Sequence, residues 1–172
     1  MRVHVGVAGK ATAAVAWERY ADPDAWSGWS PQIRRVDTGP EHYPGQDRSI
    51  ELDEDSDELD RLAHEQHSAP TEPASWAEAS DTTPRRIVPG LRGVVVGPVG
   101  VQVPFEVLDV DEEAMTWTWR VHAVLAELTL EHSVSTRAGG GCRTDLAITG
   151  PALLVVFYAP LARLALTRLV RR

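Results

Sequence analysis

Two hydrophobic periods alternate along this chain. Met1-Arg2-Val3-His4-Val5-Gly6-Val7 places apolar residues at every second position, and Val3 to Val7 is predicted as a strand. Thr12 to Tyr20 carries its apolar residues at helical spacing and is predicted as a helix. Asp22 can cap a second short helix with Pro23 at its first position, where a missing N–H is no loss. Gly28 is expected to break that helix, and Trp29 to Val36 then reads as a strand. Farther along, Ile87 to Val96 reads as a strand, and Gly97-Pro98-Val99-Gly100 suits a type I turn with Pro second and Gly fourth.

Strict alternation follows. Val101, Val103, Phe105 and Val107 face one way, with Pro104 expected to mark an edge or a bulge. After a turn at Asp109 to Glu113, Met115, Trp117, Trp119 and Val121 share a face, opposite Thr116, Thr118, Arg120 and His122, of which the last two are expected to be exposed. Leu128, Leu130, His132 and Val134 alternate with Glu127, Thr129, Glu131 and Ser133. Gly139-Gly140-Gly141 closes another hairpin, and Thr144, Leu146 and Ile148 finish the sheet. Successive hairpins predict an antiparallel meander. From Pro151 onward the period returns to helix, with Pro160 expected to kink or restart it near Tyr158. Leu153, Val156, Leu161, Leu164 and Leu169 are its expected buried anchors, each worth about 1.5–3 kcal/mol if fully buried. One strand, two short helices, further strands and a final helix make an α+β order, not a repeating β-α-β one.

The stretch at residues 38–84 breaks this regularity. Between Asp47 and Asp60 lie eight acids against one base, Arg48, and apolar residues are too sparse to offset the entropy of ordering. It is read as an acidic, flexible insertion between the second and third strands of a single domain spanning residues 1–172. A solvated spacer is its plain reading; a lid or an interaction tail is the alternative.

The chain of 172 residues suffices for one domain with one core. A net charge of -8 argues against nucleic acid, which is usually met by a basic surface. The single cysteine, Cys142, excludes an internal disulfide and a multi-cysteine metal site. With no signal-peptide pattern in the first residues, a cytoplasmic protein is expected. The run from Ala152 to Val170 approaches spanning length, but Pro160, Arg163, Thr167 and Arg168 interrupt it. A buried helix without stable membrane insertion is therefore expected, with peripheral contact near Arg168, Arg171 and Arg172 as the alternative.

Several residue runs carry a family likeness. They are Ala16-Trp17-Glu18-Arg19-Tyr20-Ala21-Asp22-Pro23-Asp24-Ala25-Trp26, Trp29-Ser30-Pro31-Gln32-Ile33-Arg34-Arg35-Val36, and Gly97-Pro98-Val99-Gly100-Val101. Further along come Val103-Pro104-Phe105-Glu106-Val107, Trp117-Thr118-Trp119-Arg120, Leu130-Glu131-His132 and Tyr158-Ala159-Pro160-Leu161-Ala162. In these the chain resembles the START-like (SRPBCC) superfamily, in its polyketide cyclase/dehydrase and lipid-transport branch, over roughly residues 3–37 and 85–171. The resemblance implies a helix-grip fold: a curved antiparallel sheet wrapped around a long C-terminal helix, with an elongated apolar pocket between them. It is specific for fold and weak for function, because the superfamily serves many chemistries.

The candidate ligand-binding residues are Trp26, Trp29, Phe105, Trp117, Trp119, His132, Tyr158 and Arg163. Tryptophan rings can line an apolar cavity and orient a ligand through N–H. His132, on an apolar strand face, is the candidate acid/base; its plain alternative is a buried imidazole paired to backbone or a carboxylate. Tyr158 can reach the cavity or belong to core or rim, and Arg163 can hold a ligand carboxylate or make a surface ion pair. His64 and His67 lack further metal ligands, so no metal is expected. Gly90, Gly93, Gly97 and Gly100 precede no helix, so no nucleotide site and no other cofactor is implied.

Three functions stay open at this point. The first is binding or carriage of a lipid-like or polyketide-like apolar molecule. The second is a cyclase or dehydratase using His132, with Tyr158 or Arg163 orienting the substrate. The third is an interaction protein acting through the acidic insertion. A homodimer through the sheet edge or the C-terminal helix also stays open.

Overall fold

The computed structural model describes residues 1–38, 85–123 and 126–171. The acidic insertion, with His64 and His67, lies outside the described residues. The elements are β1 (Arg2–Gly9), α1 (Ala13–Ala21), a 3-10 turn (Pro23–Ala25), α2 (Trp26–Trp29), β2 (Arg35–Thr38), β3 (Arg92–Val96), β4 (Gln102–Asp111), β5 (Thr116–Ala123), β6 (Ala126–Thr136), β7 (Cys142–Thr149) and α3 (Ala152–Leu169). Seven strands form one antiparallel sheet in the order β1-β7-β6-β5-β4-β3-β2. From β3 to β7 it is the expected meander. β1 closes onto β7 and β2 onto β3.

Alternation decides which face is buried, because successive strand side chains point to opposite sides. Phe105 and Val107 of β4, Trp117, Trp119 and Val121 of β5, Leu128, Leu130, His132 and Val134 of β6, and Cys142, Thr144, Leu146 and Ile148 of β7 are all buried. On β4 the register with β5 shifts between Val107 and Asp109, so Leu108 is the extra residue of a bulge. That insertion flips the parity: Val110, opposite Trp117, now packs on the core, where a regular strand would have turned Asp109 inward. Pro104 is not at a sheet edge, since β4 has neighbours on both sides. It pairs with Val94 of β3, and the ladder to β5 starts one residue later, at Phe105. The missing N–H therefore falls where that ladder ends. On the other face Arg120 and His122 are only partly exposed and pair with Glu127.

Several boundaries differ from the sequence reading. Gly28 does not break α2, which runs through it to Trp29. Trp26 and Trp29 lie one turn apart and both are buried, so the helix is held by its aromatic face over a residue of poor propensity. Consequently Trp29 ends a helix and does not start a strand; Ser30 to Arg34 turn the chain, and β2 is confined to Arg35–Thr38. Likewise β3 starts at Arg92 and not at Ile87, because Pro89-Gly90 turns first; the Gly90 N–H donates to the Val107 carbonyl (2.8 Å) and the Ile87 N–H to the Ala21 carbonyl (2.9 Å).

The turn after β3 is not type I. Val99 sits at φ 54°, ψ 21°, in the left-handed region that β-branched residues avoid. Its side chain is 93% exposed and so has little packing to lose. Val99→Gly is expected to raise stability by about 1 kcal/mol. Urea unfolding midpoints of the two proteins check this, and an unchanged or lower midpoint would refute the strain.

α1 begins at Thr12, whose hydroxyl oxygen accepts the Val15 N–H (3.3 Å), and buries Ala13, Ala16, Trp17, Tyr20 and Ala21 at helical spacing. α3 is one continuous helix of 18 residues with Pro160 inside it, so the proline does not restart it. Of the five expected anchors only Leu169 is buried. The others (Leu153, Val156, Leu161 and Leu164) are exposed, and the buried face is Val155, Ala162, Ala165, Leu166 and Leu169. A helix apolar over most of its circumference is only weakly amphipathic; the small side chains of Ala162 and Ala165 mark its inner face here, by permitting close approach. By length and composition α3 could cross a membrane, but its C-terminal end is tied to the rest of the fold. The Ala11 N–H donates to the Val170 carbonyl (3.0 Å), and the Arg19 guanidinium donates to the carbonyls of Leu169 and Arg171. A cation at a helix C-terminus also meets the negative end of the dipole.

Candidate functional site

Where α1, α2 and the centre of the sheet meet, aromatic rings interlock. Trp26 lies with ring centroids 5.4 Å from Trp117, 5.1 Å from Trp119 and 5.7 Å from Phe105. The Trp26 Nε1–H donates to the Tyr20 carbonyl (2.9 Å) and the Trp29 Nε1–H to the Arg19 carbonyl (3.0 Å). These bonds satisfy buried donors and fix α2 against the end of α1.

His132 is buried in this cluster, stacked on Trp117 at 4.6 Å and 12°. The Trp119 Nε1–H donates to His132 Nε2 (3.1 Å). An indole N–H can only donate, so Nε2 carries no proton and the ring's hydrogen sits on Nδ1. Nδ1–H therefore donates to the Tyr20 hydroxyl (3.2 Å), which is also hydrogen-bonded to Thr144 Oγ1 (2.8 Å). One hydrogen-bonded chain, Trp119 to His132 to Tyr20 to Thr144, crosses the core, and both imidazole nitrogens are taken. Burial holds the His132 pKa down at about 3, so the ring is neutral at physiological pH. Burial likewise pushes the Tyr20 hydroxyl up.

Two of the hollows adjoining this cluster lie between the sheet and α3. The inner one, about 20 Å³, has room for one water and is bordered by Trp26, Trp29, Ser30, Trp117, His132 and the Ala162–Leu166 face of α3. The outer one, about 330 Å³, lies between β3–β6, the turn at Gly97-Pro98 and α3. Ile33, Val95, Val101, Val103, Val121, Leu130 and Leu161 give it an apolar wall. Gln32, Ile33, Trp119 and Tyr158 border both. Burial raises the Tyr158 hydroxyl pKa, and the nearby Gln32 amide pulls the other way. Gln32 Oε1 is buried with no hydrogen-bond partner among the described residues, and so is Trp117 Nε1.

The structure brings six of the eight sequence candidates to these hollows. Trp119 and Tyr158 border both, while Trp26, Trp29, Trp117 and His132 border only the inner one. Phe105 lines neither: it is fully buried and packed against Trp26 and Trp119. Arg163 lines neither and is exposed on α3, with no ion pair among the described residues. The helical turn that buries Ala162 and Ala165 carries position 163 outward. Most of the outer wall escaped the candidate list because aliphatic strand residues look alike in sequence whether they fill a core or line a cavity. Gln32 escaped because it lay in a segment read as strand; a lone amide between Pro31 and Ile33 was the available signal.

No protein-family model matches the chain, and no curated protein resembles it in sequence. Solved structures do resemble it in shape. A Nitrosospira multiformis protein superposes with a TM-score of 0.62 at 9% identity, covering 99% of this chain and 94% of that one. The protein XoxI from Bacillus cereus gives 0.60 at 7% identity over 98% and 92%. Ara h 8.0201, a protein of helix-grip architecture, gives 0.56 at 9% identity over 98% and 94%. This chain has the helix-grip fold. The START-like resemblance read from the sequence thus holds at the level of the fold. The grip leaves open the space between sheet and helix where the hollows lie.

Proposed function

We propose that this protein binds and carries an apolar small molecule, of lipid-like or polyketide-like character, in the outer hollow between the sheet and α3. The observation that carries the reading is that cavity: about 330 Å³, walled by aliphatic side chains and Trp119, with Gln32 and Tyr158 as its polar side chains among the described residues. Ligand sites are commonly apolar concavities of about 300–1,000 Å³ with a few placed polar groups. The helix-grip neighbours are compatible with such a role. A cyclase- or dehydratase-type reading gains nothing from the geometry. Its candidate base, His132, is occupied at both nitrogens and borders the one-water hollow but not the outer one.

The test uses the uncharged fluorophore N-phenyl-1-naphthylamine. Its emission is expected to rise on mixing with the protein, with quenching of tryptophan fluorescence as Trp119 is approached. Val103→Trp, which fills the outer hollow from β4, is expected to weaken binding by about tenfold or more while the circular dichroism spectrum stays unchanged. No enhancement with the native protein, or full enhancement with a folded Val103→Trp protein, would overturn the reading.

A further inference from the structure

Building on the carrier reading, we infer that the ligand is uncharged and bears a hydroxyl group that meets Gln32. Two independent observations lead there. First, none of the described residues lining either hollow is Asp, Glu, Lys or Arg. Of the guanidiniums that adjoin the lining residues in sequence, Arg34 and Arg163 are exposed and Arg120 pairs with Glu127. A carboxylate or phosphate drawn into the outer hollow would lose its hydration and find no counter-charge, which strongly disfavours binding. An ionised fatty acid is therefore the wrong shape of charge for this wall, whereas a neutral molecule of the same chain length loses little.

Second, the wall is not uniformly apolar. Gln32 stands where the two hollows meet, beside Tyr158, and its Oε1 is buried without a partner among the described residues. A buried acceptor left unpaired is destabilising, and native structures rarely keep one without a use. A ligand hydroxyl donates to that oxygen. The same hydroxyl retains lone pairs for the Gln32 NH₂ or the Tyr158 O–H, so one group satisfies both side chains. A purely hydrocarbon ligand would leave Oε1 unpaired, and a ketone or ester oxygen, an acceptor only, would oppose it. The hydroxyl thus fixes which end of the ligand enters first, with its chain running along Val95, Val103, Val121 and Leu130 toward the half-exposed Val101 and Leu161.

The experiment is displacement of N-phenyl-1-naphthylamine by 1-decanol and by decanoate at pH 8, where the acid is ionised, using the full chain and Gln32→Met. Native protein is expected to prefer decanol by at least about tenfold. Gln32→Met, similar in volume, is expected to lower decanol affinity by about three- to tenfold, the range of one neutral hydrogen bond, while fluorophore affinity holds. Decanoate binding as tightly as decanol would overturn the uncharged ligand and leave the carrier reading standing. Decanol affinity unmoved in Gln32→Met would overturn the role of Gln32. Should the variant fail to fold, the decanol-to-decanoate ratio of the native protein still decides the charge question. Failure of every one of these molecules to bind the native protein would overturn the carrier reading itself.

Discussion

Between pH 7 and pH 4 the native protein is expected to lose about 3 kcal/mol more stability than a His132→Gln variant loses. Proton linkage sets the size of this loss. His132 is buried among Trp117, Trp119 and Tyr20, and its pKa in the folded state is held down to about 3, against 6.5 for the free side chain. Above pH 6.5 the ring is neutral in both states and its contribution is fully present. Below that value the unfolded chain takes up a proton that the folded chain refuses. Stability then falls by about 1.4 kcal/mol per pH unit until the folded-state value is reached. Protonation at Nε2 would set two donors, the imidazolium N–H and the Trp119 N–H, against each other at 3.1 Å. Denaturant unfolding of both proteins at four pH values from 7 to 4 measures the difference, in which carboxylate titrations common to both cancel. Parallel stability curves would show that the imidazole is not buried neutral.

The second large effect is expected at the β6–β7 hairpin. Gly141 lies at φ 77°, and a Cβ there would come within 2.1 Å of the Gly9 carbonyl oxygen, a backbone atom that cannot swing aside. Gly140, its neighbour, has φ 87° but open space around its would-be Cβ. Gly141→Ala is therefore expected to destabilise by about 3 kcal/mol or more, against about 1 kcal/mol for Gly140→Ala. Comparing the two unfolding midpoints separates steric contact from conformational preference, and equal shifts would refute the contact. Because the blocked atom belongs to β1, the same substitution should loosen the β1–β7 edge. Hydrogen exchange at Val7 and Gly9, residues of that ladder, reports it.

Period-two patterning was enough to place β4 to β7 and to select their buried faces, since one register slip would turn every tryptophan outward. It failed where patterning carries no information. Trp29 looked like the first residue of a strand because aromatics suit strands, yet the Trp26–Trp29 spacing also fits one helical turn, and tertiary burial chose that. On α3, with nearly every position apolar, sequence could identify the helix but not its inner side. The aromatic part of the site was legible because tryptophans are rare and conspicuous. The cavity itself was not, since a void is a property of how Val95, Val103, Val121 and Leu130 fail to meet α3, and no residue announces the contact it does not make. His132 was correctly placed on the apolar face, but its partner Tyr20 lies 112 residues before it on α1, and Thr144, which bonds that hydroxyl, is on the next strand, β7. Only the folded topology joins them.

The strand order has a bearing on how the chain reaches this state. Among the described residues β1 has one sheet neighbour, β7, with Arg2 opposite Thr149 and Gly9 opposite Cys142. During synthesis β1 must therefore wait as an unpaired strand until some 140 residues have followed it. The β4–β7 hairpins, closed by local turns, are free to assemble first and to present β7 as a template. Assembly should then be slow at its last step, with loop closure between distant segments setting the pace.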